Sequence, residues 1–256
     1  MSAQRAAPGL EYTGGVLVAS DLVKHFPDAG RGTVRAVDGL SLSVQPGEIY
    51  GLLGANGAGK TTTLRMLATL LVPDAGQTHI DGIDAASDPV SARRRLAYVP
   101  AEAGLPPRLP PREVVVLFAR IQGVRRARAR ASALLSAMGV DHVADTPCEA
   151  LSTGLKRRVV LARSLAHDPP VLLLDEPTDG LDVQGRADVL ALLRRLASEG
   201  HAVLMSSHIM GEVEAVCHRV GVMLQGKMVT EGSVPALLAQ TGTADLSAAF
   251  LALTGS

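Results

Sequence analysis

The chain carries 256 residues, 25 of them basic and 25 acidic, so its formal net charge at neutral pH is zero and no charge bias points to nucleic acid or an acidic substrate. Three Tyr, three Phe and no Trp argue against a base-stacking surface for single strands, and the length allows a substantial core without disulfide staples. Cys148 and Cys217 lie far apart without metal-ligand spacing, read as buried thiols, and suit a reducing compartment. Residues 1–15 have no apolar signal core, and no stretch reaches the roughly 18 uninterrupted apolar residues of a membrane span, so the expected location is cytosolic.

Residues 16–24 alternate loosely and read as a strand ending near His25 and Phe26. Phe26 is a candidate to stack on an adenine, with ordinary packing as the plainer reading. Residues 30–33 read as a flexible connector, 36–44 as a second strand, and Pro46 with Gly47 as a turn. A β-rich edge thus precedes the stretch that organises the chain.

That stretch is residues 54–62, entered from the apolar run 48–53 and followed at once by a helical pattern. Strand, glycine loop ending in Gly-Lys-Thr, and helix make a phosphate-binding loop. Gly54, Gly57 and Gly59 let backbone N–H groups close on a triphosphate, and Asn56 and Thr62 belong to the same loop. Lys60 reaches the β- and γ-phosphates, the helix opening at Thr61 adds its N-terminal dipole, and the Thr61 hydroxyl is a ligand for Mg²⁺.

Residues 76–83 read as a short strand and turn, 89–95 as a helix and 96–100 as a strand. The proline-rich connector 106–111 cannot be helix or strand interior. Beyond it, 112–121 and 125–138 have helical periodicity and join at Gly123, so 101–150 reads as a helical insertion. Arg125, Arg126, Arg128 and Arg130 read as a solvated helix face. Ser152 is placed to cap a helix over 156–166.

The continuously apolar run 171–174 has the pattern of a central parallel strand and ends in Asp175 and Glu176, at the ligand-binding edge of an open α/β sheet. With a phosphate loop elsewhere in the chain, Asp175 becomes a carboxylate for Mg²⁺, acting through water, and Glu176 the group that orients the attacking water. A helix over 182–198, a strand over 202–206 and His208 at its end follow; the position on the same sheet edge favours a functional histidine. A helix over 212–219, a hairpin over 220–232 and an apolar helical tail over 234–256 complete the chain.

With these pieces in order, residues 16–232 resemble the ATP-binding subunit of an ABC transporter. The resemblance rests on the phosphate loop at 54–62, a signature motif at 151–155, the Walker B strand at 171–176, a D-loop at Gly180, Leu181 and Asp182, and His208 as the switch histidine. The wording of 205–214 and 250–255 is similar to the sodium-extrusion and antibiotic-efflux branch. Thr153 and Leu155 stand where that family's signature usually has glycine and glutamine; Ser152 and Gly154 are retained. Ala101 stands at the position of the family's Q-loop glutamine, beside Glu102 as a candidate substitute.

The resemblance implies an α/β fold: a P-loop NTPase core with a parallel sheet, an antiparallel β edge and an inserted α-helical subdomain. It implies a single nucleotide-binding domain over 1–256, with core at 1–100 and 151–232, insertion at 101–150 and helical tail at 233–256. Expected ligands are ATP and Mg²⁺, with Glu176, His208 and Lys60 catalytic and Phe26, Asn56, Gly57, Gly59, Lys60, Thr61, Thr62, Ser152, Gly154 and Asp182 contacting nucleotide. Expected partners are an integral membrane permease, docked on 98–123, and a second copy joined head to tail by ATP; no nucleic acid is expected. The chain would then sit at the inner face of the cell membrane through the permease. An alternative is a soluble regulatory ATPase of the same type without a transport role.

Overall fold

The computed structural model describes residues 17–28, 30 and 32–255. The expected strand start at Val16 and the reading of residues 1–15 fall outside that range. Antiparallel strands β1 (Leu17–Asp28) and β2 (Gly32–Val44) lead into β3 (Ile49–Leu53) and helix α1 (Lys60–Leu67). Strands β4 (Ala75–Ile80) and β5 (Ile83–Asp84), helix α2 (Pro89–Arg94) and strand β6 (Leu96–Val99) follow. Helices α3 (Pro111–Ile121), α4 (Ala127–Ala137) and α5 (Thr153–Ser164) then precede β7 (Val171–Asp175). The chain continues through α6 (Val183–Ser198), β8 (Ala202–Ser207), α7 (Met210–Val216), β9 (Arg219–Leu224), β10 (Lys227–Gly232), α8 (Val234–Thr241) and α9 (Leu246–Thr254).

Two sheets form: a four-stranded antiparallel one in the order β2-β1-β4-β5, and a six-stranded one in the order β10-β9-β3-β8-β7-β6. In the larger sheet β9, β3, β8, β7 and β6 run parallel and β10 closes the edge antiparallel. Parallel strands need cover on both faces, which is why β3, β7 and β8 are buried at every position and are apolar up to Asp175 in β7 and Ser206 in β8. Their side chains alternate between two cores. Leu172, Leu174, Val203 and Met205 pack toward α3, α4, α5 and α6, whereas Leu173, Leu204 and Leu52 pack toward α1 and the antiparallel sheet. Truncating a fully buried residue such as Leu173 to alanine should remove about 2–5 kcal/mol of stability. A third cluster joins Leu53 and Val222 to Val213, Leu237 and Phe250, seating the C-terminal helices on the body.

Several boundaries differ from those expected. β1 runs on through His25 and Phe26 because they pair with Arg35 and Val34, so β2 starts at Gly32 and the expected connector shrinks. Helix α7 stops at Val216: Cys217 turns extended, and His218 N–H donates to Ile49 O while its Nδ1 accepts from Ile49 N–H. Arg130 is not part of a solvated face, since its guanidinium binds Leu165 O and Asp168, tying α4 to the end of α5. Cys217 is only partly buried, although burial still pushes its thiol up to about 12.

Among the described residues no single helix is long and apolar enough to cross a membrane.

Candidate nucleotide site

Because β3, β6, β7 and β8 are parallel, the chain leaves all four at one edge of the sheet. β3 opens into the phosphate loop, β7 ends at Asp175, β8 delivers Ser207 and His208, and β6 leads to Pro100 and Ala101. Gly54 and Gly59 are required by contact, and Gly57 by its φ of +81°. A Cβ at Gly54 would lie 2.7 Å from Met223 O, and one at Gly59, whose φ is +107°, would lie 2.3 Å from Ala36 O. Helix α1 begins after Gly59 with no side-chain cap, so its first N–H groups face the loop as donors for an anion.

Lys60 is buried, and its ammonium donates to Gly54 O at 2.6 Å and Ala55 O at 3.2 Å. It also lies 3.6 Å from Glu176 Oε1, so the buried charge is held by carbonyl dipoles and one carboxylate. Glu176 is the meeting point of the site: its other oxygen, Oε2, is 3.1 Å from His208 Nδ1. Its backbone adopts φ +46°, in the left-handed region, and its N–H donates to Ser206 Oγ at 3.0 Å. The Ser206 hydroxyl donates in turn to Asp175 Oδ1 at 2.7 Å, and Tyr98 OH approaches Asp175 Oδ2 at 3.5 Å. Burial first, and then the neighbouring Asp175 charge, raise the Tyr98 phenol above its ordinary value and keep it a donor.

A cleft of about 370 Å³ is lined by Asn56, Gly57, Gly59, Lys60, Thr61, Thr62 and Glu176, with a wall from Val34, Arg35 and Ala36 and a floor at Gln225. Phe26 is not among the lining residues. It is 39 % exposed, sits beside Val34 in the β-ladder and carries Lys24 Nζ 5.8 Å from its ring centre. Ser152, Gly154 and Asp182 line a second cleft, of about 490 Å³, together with Gly180 and Leu181. Ser152 caps α5 by accepting from Leu155 N–H at 3.4 Å, and Asp182 caps α6 by accepting from Gly185 N–H at 2.7 Å. The structure therefore brings Lys60, Thr61, Asp175, Glu176 and His208 together and keeps Ser152, Gly154 and Asp182 apart from them.

Sequence reasoning missed Ser206, Thr178, Glu212 and Arg157. Ser206 is a hydroxyl inside a wholly buried strand, a mismatch visible in the apolar run. Thr178 Oγ1 donates to the buried Glu212 Oε2 at 2.5 Å, fastening the Glu176 turn to the helix after His208. Arg157 falls on the same helical face as the buried Val160 and Leu161, a position where a cation needs partners.

The ABC transporter family profile matches residues 37–179, more than half of the chain, which belongs to that family. Nod factor export ATP-binding protein I of Paraburkholderia xenovorans is 44 % identical over 210 residues, covering 81 % of this chain and 69 % of the relative. Daunorubicin resistance ATP-binding protein DrrA3 of Streptomyces coeruleorubidus is 40 % identical over 213 residues, covering 82 % of this chain and 67 % of the relative. This chain thus spans about two thirds of the length of these relatives. A solved ATP-binding subunit of an ABC transporter superposes with TM-score 0.82 at 27 % identity, over 93 % of this chain and 99 % of that one. A dimeric ATP-binding cassette in a post-hydrolysis state, bound to ADP and Pi, superposes with TM-score 0.76 at 26 % identity, over 85 % and 98 %. The chain is accordingly an ATP-binding, ATP-hydrolysing cassette of the ABC type.

Proposed function

We propose that this ATPase powers export through a separate membrane permease; of its relatives, one is named for Nod factor export and another for daunorubicin resistance. The observation that carries the catalytic part is Glu176 held between Lys60 at 3.6 Å and His208 at 3.1 Å beside the phosphate loop. On this reading Lys60 exchanges its carbonyl partners for the β- and γ-phosphates, and the loop N–H groups with the start of α1 bind the remaining oxygens. Glu176 orients the attacking water. With Nδ1 facing Glu176, the other ring nitrogen of His208 is the one left for the γ-phosphate.

Among the described residues no cluster of three or more His, Cys, Asp or Glu is arranged for a metal. Mg²⁺ fits such a sparse donor set, because it keeps waters and phosphate oxygens and takes only one or two protein groups. Thr61 would hold it directly, and Asp175, fixed by Ser206, through water. The ion would supply charge neutralisation on the phosphates.

The separate cleft carrying Ser152, Gly154 and Asp182 supports a head-to-tail dimer, in which these residues and the helix start at Ser152 meet nucleotide held by the partner's phosphate loop. The whole is read as one nucleotide-binding domain with core at 1–100 and 151–232, insertion at 101–150 and tail at 233–256, positioned at the membrane by the permease. The segment 98–123 is the proposed docking surface. Leu105 is half-buried against the helical core, so exposed Glu102 is the residue to probe there.

The test is Mg²⁺-dependent phosphate release by the purified chain, and export of daunorubicin or Nod factor by cells co-expressing it with a candidate membrane permease. Lys60→Ala should abolish both. Phosphate release without any permease association would favour the regulatory alternative.

A further inference from the structure

Arg157 lies in the second turn of the helix that Ser152 caps, and only 8 % of it is exposed. A guanidinium has five N–H donors in a planar fork, and here all five go to backbone carbonyls. Nε donates to Pro177 O at 2.8 Å, and Nη2 to Glu176 O at 3.2 Å and Asp175 O at 3.4 Å. Nη1 donates to Pro100 O at 3.1 Å and Ala101 O at 3.2 Å. One side of the fork therefore holds the turn after β7 and the other the turn after β6.

The same helix grips the far end of the 100–104 segment. Arg163 donates from Nη1 to Gly104 O at 2.9 Å and lies 4.8 Å from the Phe118 ring centre, on the first helix of the insertion. Ala101 offers no polar side chain, and this segment meets Arg157 through the Pro100 and Ala101 carbonyls. Burial lowers the Arg157 pKa from its ordinary value while Asp175 and Asp179 oppose the shift, and an arginine stays charged under such a load where a lysine would not.

We propose that Arg157 is a positioning residue: it fixes the backbone of Asp175, Glu176 and Pro177 and carries movement of the 100–104 segment to the Glu176 carboxylate. This rests on the assignment of Glu176 as the group that orients water. All the hydrogen bonds of Arg157 go to peptide carbonyls, and it acts through the units it holds. Because those units include the left-handed Glu176, release of the fork lets that residue relax toward ordinary backbone angles and withdraws its carboxylate from the line between Lys60 and His208.

The experiment measures steady-state ATP hydrolysis by the full chain carrying Arg157→Lys, Glu176→Gln, or both. A lysine keeps the charge but has three donors on one atom and cannot span two turns. R157K should lower kcat by about tenfold or more and leave KM for ATP within about twofold, the pattern of a lost transition-state contribution. In the E176Q background it should change the residual rate by less than about twofold, since the group it positions is already disabled. Pro100→Gly, which loosens the held turn while leaving Arg157 in place, should lower kcat in the same sense, and it carries the test if R157K does not fold. An additive loss in the double variant, or unchanged kcat in both R157K and P100G, overturns the inference while the Glu176 assignment stands. Parental turnover by E176Q alone overturns both.

Discussion

His208 Nδ1 stands 3.1 Å from Glu176 Oε2, at the ends of two neighbouring parallel strands whose partner Ser206 also binds the Glu176 amide. The carboxylate is thus oriented by one strand and contributed by another. Removing the imidazole should leave nucleotide affinity close to parental and lower kcat for ATP by about 10²-fold, within the range for a positioned acid or base. His208→Ala assayed by phosphate release and by fluorescent nucleotide titration separates the two effects. Equal losses of affinity and turnover would instead make the ring a ground-state contact.

Glu176→Gln should retain ATP and lose turnover by orders of magnitude, and so accumulate the closed assembly. On a sizing column with saturating Mg·ATP this variant should elute as a dimer, and with ADP as a monomer. Elution as a monomer in both would remove the assignment of Ser152 and Asp182 to the partner's nucleotide.

Thr178 and Glu212 form a buried contact at 2.5 Å, with Arg186 3.9 Å from the other carboxylate oxygen. Thr178→Val preserves shape and deletes the donor, leaving a buried carboxylate short of a partner. The expected loss is about 1–3 kcal/mol, read from urea unfolding midpoints at unchanged slope. A neutral result would show that Arg186 moves in to replace the hydroxyl.

His167 is lowered from the ordinary imidazole value, first by burial, with Arg130 acting in the same direction and the Leu96 carbonyl and Asp168 opposing. Below that ordinary value the unfolded chain takes up a proton that the folded chain resists. The unfolded state then binds more protons, so stability falls as pH drops from about 6.5 through the lowered folded value. Melting temperatures of parent and His167→Gln, taken from about pH 8 to about pH 5, should show the parent losing more stability than the variant on acidification. Parallel curves would assign the acid sensitivity to other groups.

Much of the site was legible because its chemistry sits at strand ends that announce themselves. Unbroken apolar runs marked β3, β7 and β8, and the residues just beyond them, Gly54, Asp175, Glu176 and His208, had to share an edge once the strands were parallel. What escaped was set by partners distant in sequence. The end of α7 depends on His218 pairing with Ile49, and the length of β1 on Phe26 facing Val34. Arg157 is one of four basic residues in α5; only the meeting of two turns, 57 and 20 residues away, makes its burial tolerable. The likeness to relatives located Ser152 and Asp182, whereas their separation from Lys60 into another cleft is a property of the folded chain.

The left-handed backbone at Glu176 sets durability against activity. Glycine or asparagine would occupy φ +46° with less strain, and a Glu outside special surroundings costs on the order of 1 kcal/mol or more there. Directed evolution of this chain for heat resistance alone, with no demand for turnover, would therefore discard the side chain proposed to orient the attacking water. Laboratory selections that reward both properties should leave position 176 untouched and draw their gains from the opposite edge of the sheet.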